Sequence, residues 1–213
     1  MGELIDFTER MADRSRTAGP RPAFFFDLAC PFSYLAAEQV NRMFDLMDWV
    51  PTAAALMDDG DHPRYSIAQL ERAERQAAEL RLPLVWPERF PAALPSALRA
   101  ATYAADADAL DRFALAASRL AFCGGFDLED PEMLAEAAGA AGIPLEETLQ
   151  AARDRDRNFR LHATASGLRR RGLSTLPVIC VGTRWFQGEH AAAAAIELTR
   201  IKALYGASVA PVG

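Results

Sequence analysis

An apolar run that ends in a cysteine and a proline constrains this chain more than any other feature. Pro22 to Leu28, PAFFFDL, is a short aromatic-rich segment that predicts a buried β-strand. Ser33 to Met47 follows, with apolar side chains spaced to cover one face of a helix. Cys30 and Pro31 lie between them, and proline suits a first helical turn because its missing N–H has no intrahelical partner to lose. The sequence therefore predicts a thiol at the junction of a buried strand and a helix.

The rest of the chain predicts two groups of strands separated by helices. Trp49 to Met57 predicts a second strand, which completes a β-α-β unit with parallel strands and a right-handed crossover. Asp61 to Gly172 is rich in alanine and dotted with charges, a pattern that predicts several helices. Leu176 to Val181 and Thr183 to Gln187 predict a β-hairpin, and Glu189 to Tyr205 predicts a final helix.

This order of elements, β-α-β, then helices, then β-β-α, predicts an α/β fold. It is typical of a thioredoxin-like sheet that carries an all-helical insertion domain. The thioredoxin-like domain is then discontinuous, and we expect it to comprise residues 20–60 and 173–207. The helical insertion domain is expected to comprise residues 61–172.

Composition and charge argue against several classes of function. The 213 residues carry a net charge of −6, which argues against a nucleic acid partner because binding to its backbone needs a basic surface. No segment approaches the roughly 20 apolar residues of a membrane span, and the first twenty residues lack the apolar core of a secretory signal. We therefore expect a cytoplasmic protein with no membrane partner. The three cysteines are widely spaced, and the sequence contains no metal or nucleotide motif.

Four segments together resemble one known family. Residues 24–40, FFFDLACPFSYLAAEQV, resemble the reactive-centre strand, loop and helix of the DsbA-like thioredoxin group. Within that group the pattern is most similar to 2-hydroxychromene-2-carboxylate isomerases and kappa-class glutathione transferases. Three further segments resemble the proline-punctuated loop, the insertion helices and the cis-proline hairpin of those isomerases: WPERFPAALPSALRA (86–100), GGFDLEDPEMLAEAAGAAGIP (124–144) and TLPVICVGTRWFQGEH (175–190). The resemblance covers nearly the whole chain after residue 20, and it implies a glutathione cofactor and a small-molecule substrate.

Cys30 and Ser33 are the candidate catalytic residues. A cysteine at a helix N-terminus meets the positive end of the helix dipole and unpaired backbone N–H groups, which favour the thiolate. The alternative role for Cys30 is that of a small buried apolar residue, which is common for free cysteine. The dithiol oxidoreductases of the group carry a resolving cysteine in the pattern C-P-x-C, whereas this chain has Ser33 at the fourth position. A local disulfide is therefore excluded, and Ser33 either donates a hydrogen bond to a thiolate or caps the helix.

The resemblance also implies which residues bind the substrate or glutathione. It implies a cis peptide bond before Pro177, in a loop that stands across from Cys30. The expected binding residues are Pro31, Phe32, Leu176, Pro177, Val178, Glu189 and His190. Glu189 lies near the position where the isomerases carry an acidic residue suited to the γ-glutamyl ammonium of glutathione. Ala93, in place of an asparagine, and His190 depart from the isomerase pattern.

Three functions are consistent with these residues. The first is a glutathione-linked isomerase or transferase, in which a glutathione thiolate held at the Cys30 helix end adds to a small aromatic or unsaturated substrate. The second is a monothiol thiol-disulfide oxidoreductase that uses Cys30 directly, and the missing resolving cysteine counts against it. Cys30 itself counts against the first function, because the isomerase and kappa branches typically carry a serine at this position. The third is a non-enzymatic binding protein on the same fold. Members of the isomerase and kappa branches are often dimers, so the resemblance also implies a homodimer.

Overall fold

The computed structural model describes residues 21–57 and 65–206, with side chains described as far as Ile201. It begins with strand β1 (Ala23–Phe26), helix α1 (Pro31–Met43) and strand β2 (Asp48–Pro51). The helices described before the next strand are α2 (Ile67–Leu80), α3 (Pro95–Asp106), α4 (Leu110–Phe122), α5 (Pro131–Ala141), α6 (Leu145–Arg153) and α7 (Asn158–Arg170). Strands β3 (Val178–Val181) and β4 (Arg184–Gln187) and helix α8 (Ala191–Gly206) complete the described chain.

The four strands form one mixed sheet in the order β2-β1-β3-β4. β1 pairs with β2 in parallel, with Phe25 opposite Val50, and with β3 in the antiparallel direction, with Phe25 opposite Val178. Helix α1 connects the two parallel strands, as the predicted β-α-β unit requires. The C-terminal end of β1 and the N-terminal end of β3 therefore lie side by side at the same end of the sheet. The predicted α/β, thioredoxin-like arrangement is confirmed.

The second strand is shorter than the sequence predicts. β2 ends at Pro51, whereas the sequence predicts a strand as far as Met57. Residues Ala54–Leu56 form a 3₁₀ turn instead. A carboxylate oxygen of Asp27 accepts a hydrogen bond from the Ala54 N–H at 2.6 Å, and this bond replaces strand pairing with a contact to the end of β1.

Helix α1 is shifted toward the N-terminus relative to the prediction. It begins at Pro31, two residues before the predicted start at Ser33, and ends at Met43 rather than Met47. The earlier start agrees with the preference of proline for the first turn, and it makes Cys30 the N-cap residue.

The described residues between β2 and β3 form helices, turns and loops, as the sequence predicts. Asp130 is the N-cap of α5, and its Oδ1 accepts a hydrogen bond from the Glu132 N–H at 2.9 Å. Gly172 follows α7 with a φ of +74°, a left-handed conformation that glycine adopts without a Cβ penalty. Among the described residues, no helix has both the length and the apolar character needed to cross a membrane.

One large apolar core joins the sheet to the helices. It combines residues of β1 and α1 with residues of α3, α4 and α5, so the two predicted domains pack against each other through side chains of one cluster. The division into a discontinuous thioredoxin-like domain and a helical insertion domain stays a prediction. Its first boundary, between residues 60 and 61, lies outside the described residues.

Candidate active site

Cys30 lies at the start of helix α1, as the sequence predicts. Its backbone is extended, with φ −99° and ψ 115°, and its carbonyl accepts the first helical hydrogen bond from the Tyr34 N–H at 3.1 Å. The Cys30 N–H donates to the Asp27 carbonyl, also at 3.1 Å, which closes the turn between β1 and α1. The side chain is almost completely enclosed, because only 3% of the residue's surface is exposed. The thiol therefore faces the first turn of the helix from a buried position.

The loop before β3 lies directly opposite the thiol. The Leu176-Pro177 peptide bond is cis, which is the geometry that the resemblance implies. The Cys30 Sγ donates a hydrogen bond to the Leu176 carbonyl across a distance of 3.7 Å. Phe32 and Val178 belong to the same buried cluster as Cys30 and Leu176. The structure thus brings together the predicted residues of the helix start and those of the opposite loop.

Two further hydroxyl groups converge on the Cys30 sulfur. Hydrogen bonding from the hydroxyl groups of Ser33 and Tyr65 and from the Ser33 N–H favours the thiolate and lowers the pKa of the Cys30 thiol. The Ser33 Oγ also accepts a hydrogen bond from the Asp27 N–H at 3.3 Å. Ser33 therefore satisfies a buried backbone donor in the turn before α1 rather than one of the helix itself, so the predicted capping role is not observed. Its role as a donor to a thiolate stays a prediction.

The protonation state of Cys30 differs from the sequence expectation. Burial raises the pKa of the Cys30 thiol, and the hydrogen bonds from Ser33 and Tyr65, which lower it, do not compensate. The nearby Asp27 carboxylate raises the pKa further. The expectation that the helix start favours the thiolate is therefore wrong for the ligand-free chain. Desolvation, which depends on distant parts of the sequence, outweighs the local effect of the helix end.

Asp27 is a buried acid that the sequence analysis did not select. Only 3% of its surface is exposed, and its two carboxylate oxygens accept hydrogen bonds from the backbone N–H groups of Ala29, at 2.8 Å, and Ala54, at 2.6 Å. Burial raises the pKa of Asp27 to about 6, although these two bonds oppose the shift. The signal in the sequence is a single charged residue at the end of an aromatic strand, three positions before the cysteine.

Tyr65 is the second residue that the sequence analysis missed. It immediately precedes the N-cap of α2, and its ring stacks on Phe90 with a centroid distance of 5.4 Å and an interplanar angle of 23°. Burial raises the pKa of the Tyr65 phenol well above its usual range, and the neighbouring Cys30 raises it further. No motif surrounds this tyrosine, so only the three-dimensional packing identifies it.

An apolar cavity adjoins the start of α1. Its volume is only about 20 Å³, roughly the space of one water molecule, and it is partly open to solvent. It is lined by Leu28, Ala29, Pro87, Arg89, Phe90, Ala92, Leu94, Ala121, Phe122, Phe126, Asp127 and Leu128. Three of these side chains are aromatic, and the lining includes Leu28 and Ala29, the two residues before Cys30. The proline-rich segment before α3 therefore covers a small apolar space near the start of α1.

The contacts described for Glu189 and His190 are with residues other than Cys30. The Glu189 carboxylate accepts a hydrogen bond from the Arg72 side chain at 2.7 Å, and its carbonyl accepts one from the Gln76 amide at 3.0 Å. The His190 side chain is 85% exposed, and its Nε2 lies 3.4 Å from a carboxylate oxygen of Glu189. Glu189 therefore ties the turn after β4 to helix α2, whereas the described contact of His190 is with Glu189.

The described residues contain no group of three histidine, cysteine, aspartate or glutamate side chains that could hold a metal ion. All three cysteines are free thiols; Cys123 follows the end of α4, and Cys180 in β3 belongs to the same buried cluster as Cys30. The groups described around the Cys30 thiol are the hydroxyl groups of Ser33 and Tyr65 and the buried carboxyl group of Asp27.

The sequence and the fold both match known proteins. The sequence model of the DSBA-like thioredoxin domain matches residues 23–197. No curated protein is similar enough in sequence to match the chain.

Several solved structures share the fold at low sequence identity. A 2-hydroxychromene-2-carboxylate isomerase superposes with a TM-score of 0.73 at 14% identity, covering 89% of this chain and 99% of that one. A probable DsbA oxidoreductase from Streptomyces coelicolor gives 0.69 at 17% identity, with 91% and 92% covered. The cytosolic disulfide reductase DsbM from Pseudomonas aeruginosa, with GSH, gives 0.62 at 13% identity, with 86% and 99% covered. At these identities the similarity establishes the fold alone.

Proposed function

The chain belongs to the family of DSBA-like thioredoxin domains, and from this membership and the geometry at Cys30 we propose a function. We propose that the protein is a glutathione-linked isomerase or transferase that acts on a small aromatic or unsaturated substrate. The observation that carries the proposal is the apolar, aromatic-lined cavity beside a helix start that has a serine in place of a resolving cysteine. An apolar lining of this kind favours a small apolar ligand over an extended protein substrate, and the space has to widen to admit one.

The reaction needs a sulfur nucleophile but no net oxidation. The glutathione thiolate adds to an electron-poor carbon of a conjugated double bond, and the π electrons move to the acceptor group of the substrate. In an isomerase, rotation follows and the same S–C bond breaks, which returns the thiolate. In a transferase, the S–C bond remains and a leaving group departs with the electron pair. Both routes balance without an added oxidant or reductant.

In this mechanism the residues at the start of α1 hold the sulfur of the ligand. Because burial raises the pKa of Cys30, its thiol keeps a proton near neutral pH and serves as a hydrogen-bond donor. The Ser33 hydroxyl and the N-terminal end of α1 supply further donors for an anionic sulfur. Pro31, Phe32, Leu176, Pro177 and Val178 are the proposed walls around the cysteinyl part of glutathione.

The opposite charges of Arg72 and Glu189 support a place for the γ-glutamyl end. The two side chains form an ion pair at 2.7 Å, at the turn where the sheet edge meets α2. A zwitterionic amino-acid group presents an ammonium for Glu189 and a carboxylate for Arg72, so it would replace one ion pair by two. We propose this turn, with His190 at its rim, as the glutathione anchor.

A monothiol thiol-disulfide oxidoreductase is the second candidate, because position 30 carries a cysteine and not a serine. In that reaction the Cys30 thiolate attacks a substrate disulfide, forms a mixed disulfide and releases one substrate thiol. A glutathione thiolate then attacks the mixed disulfide and releases the second substrate thiol, and another glutathione frees Cys30 as glutathione disulfide forms. The raised pKa of Cys30 slows the first of these steps, because the thiolate is the attacking species.

The substitution Cys30→Ser separates the two candidates. A serine hydroxyl also donates to a ligand thiolate, so the variant should keep glutathione-dependent isomerase or transferase activity within about tenfold. The same variant loses all disulfide reduction that passes through Cys30. Parallel assays with unsaturated aromatic substrates and with a glutathione-coupled disulfide substrate measure both activities, and Cys123→Ala is the matched control.

The opposite pattern, with reductase activity present in the unchanged chain and absent in Cys30→Ser, would replace the first candidate by the second. Glutathione binding in a calorimeter without turnover of any substrate would leave a non-enzymatic binding protein. We also propose that the protein works in the cytoplasm as a homodimer, and light scattering of the purified chain tests the oligomeric state.

A further inference from the structure

We propose that residues 87–93 form a flap over the apolar cavity at the start of α1, and that the ion pair between Arg89 and Asp127 keeps this flap closed. A small apolar substrate enters when the pair separates and the cavity widens. The inference deepens the proposed function and rests on it for one point, that such a substrate occupies this cavity.

The first support is the size of the closed cavity. Its volume of about 20 Å³ corresponds to roughly one water molecule. A dry apolar cavity that takes up a benzene molecule has about 150 Å³. The lining is nevertheless suited to an aromatic ring, since Phe90, Phe122 and Phe126 contribute to it. One part of the wall therefore has to move before a ligand of the proposed class fits.

The second support is the contrast between the two sides of the cavity. Much of the side opposite the flap is formed by residues of the large apolar core, each at most 4% exposed: Leu28, Ala29, Ala121, Phe122 and Leu128. The flap contributes four residues that are half-buried or exposed: Pro87, Arg89, Phe90 and Ala92. Displacement of the core residues would disrupt the packing of the sheet against the helices, whereas a surface segment moves with little loss of packing.

The third support is the way in which the flap is attached. Its two ends are fixed, because the Val85 N–H donates to the Phe122 carbonyl at 2.7 Å and Leu94 is buried as the N-cap of α3. Between these ends, the described polar contact with the rest of the protein is the ion pair of the Arg89 Nη2 with the Asp127 Oδ2, at 2.5 Å. The flap is thus a short loop with two fixed ends and one charged contact between them.

Phe90 gives the flap an apolar contact as well. Its ring packs edge-on against Phe122 at a centroid distance of 6.2 Å and stacks on Tyr65 at 5.4 Å. A small aromatic ligand replaces part of this contact, because it offers the Phe122 ring a partner of the same kind. An uncharged ligand offers no replacement for the ion pair. The contact between Arg89 and Asp127 is therefore the interaction that opposes entry.

The charged contact is suited to repeated separation. The Asp127 carboxylate is held on the side of the core, where its Oδ1 accepts a hydrogen bond from the Glu129 N–H at 3.0 Å. The Arg89 side chain is 60% exposed, so water solvates the guanidinium as soon as it leaves the carboxylate. Exposed ion pairs of this type are weak, and dissolved salt weakens them further. The pair therefore favours the closed flap without locking it.

The test is the affinity for N-phenyl-1-naphthylamine, an uncharged aromatic probe whose fluorescence rises in apolar surroundings. Asp127→Asn removes the charge but keeps an oxygen for the Glu129 N–H, and we expect it to lower the Kd for the probe about threefold. Arg89→Gln should have the same effect, and the double variant should show no further change. Asp106→Asn is the matched control, because Asp106 is 31% exposed, against 29% for Asp127, and pairs with Arg160 outside the cavity.

Two further measurements assign the effect to the cavity and to the ion pair. Ala92→Phe fills the cavity from the flap, so Asp127→Asn should no longer change the affinity in this background. A rise in sodium chloride from about 20 mM to about 500 mM should lower the Kd about twofold more in the unchanged chain than in Asp127→Asn, because only the unchanged chain has an ion pair to screen.

Equal affinities of the unchanged chain and both single variants, or no binding by any of them, would overturn the proposal. None of these measurements needs glutathione or turnover, so they separate the flap from the proposed function. Changed affinities in a protein without isomerase or transferase activity would keep the flap and exclude the proposed reaction. Turnover of unsaturated aromatic substrates together with unchanged affinities would keep the reaction and exclude the flap.

Discussion

Two clusters with the same types of side chain lie against helix α1, one at its start and one farther along it. The start cluster comprises Asp27, Cys30 and Tyr65, and the rear cluster comprises Tyr34, Glu38 and Cys123. Each therefore combines a buried carboxyl group, a thiol and a phenol. The difference is an arginine: the Arg119 Nη2 donates to the Glu38 Oε2 at 2.9 Å in the rear cluster, whereas the carboxylate bonds described for Asp27 come from backbone N–H groups.

The arginine changes what the cluster does. In the rear cluster the Tyr34 hydroxyl donates to the Pro83 carbonyl at 2.9 Å, so the Cys123 S–H is the donor in the 3.2 Å contact between Tyr34 and Cys123. The Glu38 carboxylate is paired with Arg119, and the Tyr34 hydroxyl and the Cys123 thiol each have an acceptor. These contacts hold α1 against α4. In the start cluster the acid has no described cation beside it, and its pKa is raised. An uncompensated buried acid beside a thiol is typical of a functional site, whereas a paired one is typical of a structural contact.

The largest effect should come from the charge of Asp27. Because burial raises its pKa from 3.8 to about 6, the folded chain keeps a proton there that the unfolded chain releases between these two values. The resulting stability is fully present below pH 3.8 and is lost as the pH rises through about 6. In Asp27→Asn this dependence disappears. Between pH 3 and pH 7, the unfolding free energy of the unchanged chain should therefore fall by about 3 kcal/mol relative to that of the variant.

Chemical denaturation of both chains at the two pH values measures this difference. A constant gap between them would show that Asp27 titrates normally and that the two clusters do not differ in the way described. The same variant should lower the pH midpoint of Cys30 alkylation, because it removes the negative charge that raises the pKa of Cys30.

The next largest effect should follow from removing the arginine. The Glu38 side chain is only 4% exposed, so Arg119→Met leaves a buried carboxylate with Arg42 at 3.5 Å as its remaining described cation. Loss of one partner of a fully buried pair costs more, but Arg119 is 52% exposed and solvent screens part of the interaction. We expect a loss of about 2 kcal/mol in unfolding free energy by denaturant titration. A neutral result would contradict the structural role of the rear cluster.

The smallest effect contrasts the two tyrosines. Tyr34→Phe removes the donor to the Pro83 carbonyl and the acceptor for the Cys123 thiol, so it should cost about 1 kcal/mol in unfolding free energy. It should leave the midpoint of Cys30 alkylation unchanged. Tyr65→Phe should show the reverse pattern, with a moved midpoint and a smaller loss of stability. Equal behaviour of the two variants in both measurements would remove the distinction between the clusters.

The sequence predicts the architecture of this chain because its signals are local. The aromatic strand, the Cys30-Pro31 step and the following amphipathic helix are all recognised between Pro22 and Met47, and the order of elements then allows few topologies. The thiol at the helix start follows from the same residues. The juxtaposition of Cys30 with Leu176 follows from the family resemblance, since these residues are separated by 146 positions in the chain.

The chemistry of the site is harder to predict because it depends on burial. The pKa of Cys30 is set by how completely α2 and the loop before β3 exclude water, and no segment of the sequence encodes that directly. Tyr65 reaches the thiol only through the placement of α2. Glu189, which the resemblance assigns to glutathione, is paired with Arg72, a partner that lies 117 positions away.

The Gln187 side chain makes one wall of the site stiff. Its Oε1 accepts hydrogen bonds from the N–H groups of Ser174 and Thr175, at 3.0 and 3.3 Å, so strand β4 braces the segment that leads to the Leu176 carbonyl. Because the Cys30 sulfur is nearly enclosed, a ligand can reach it only if one of the surrounding segments moves. Gln187 holds the segment before Leu176 in place.

The wall formed by α2 is held in a different way. Its fastening at the turn after β4 is the Arg72 and Glu189 ion pair, in which both side chains are partly open to water and dissolved ions weaken the attraction. Dissolved salt therefore weakens one of the two attachments of α2 to this turn, since the other is the hydrogen bond from the Gln76 amide to the Glu189 carbonyl. The hydrogen bonds of Gln187 involve no charged group and are little affected by salt.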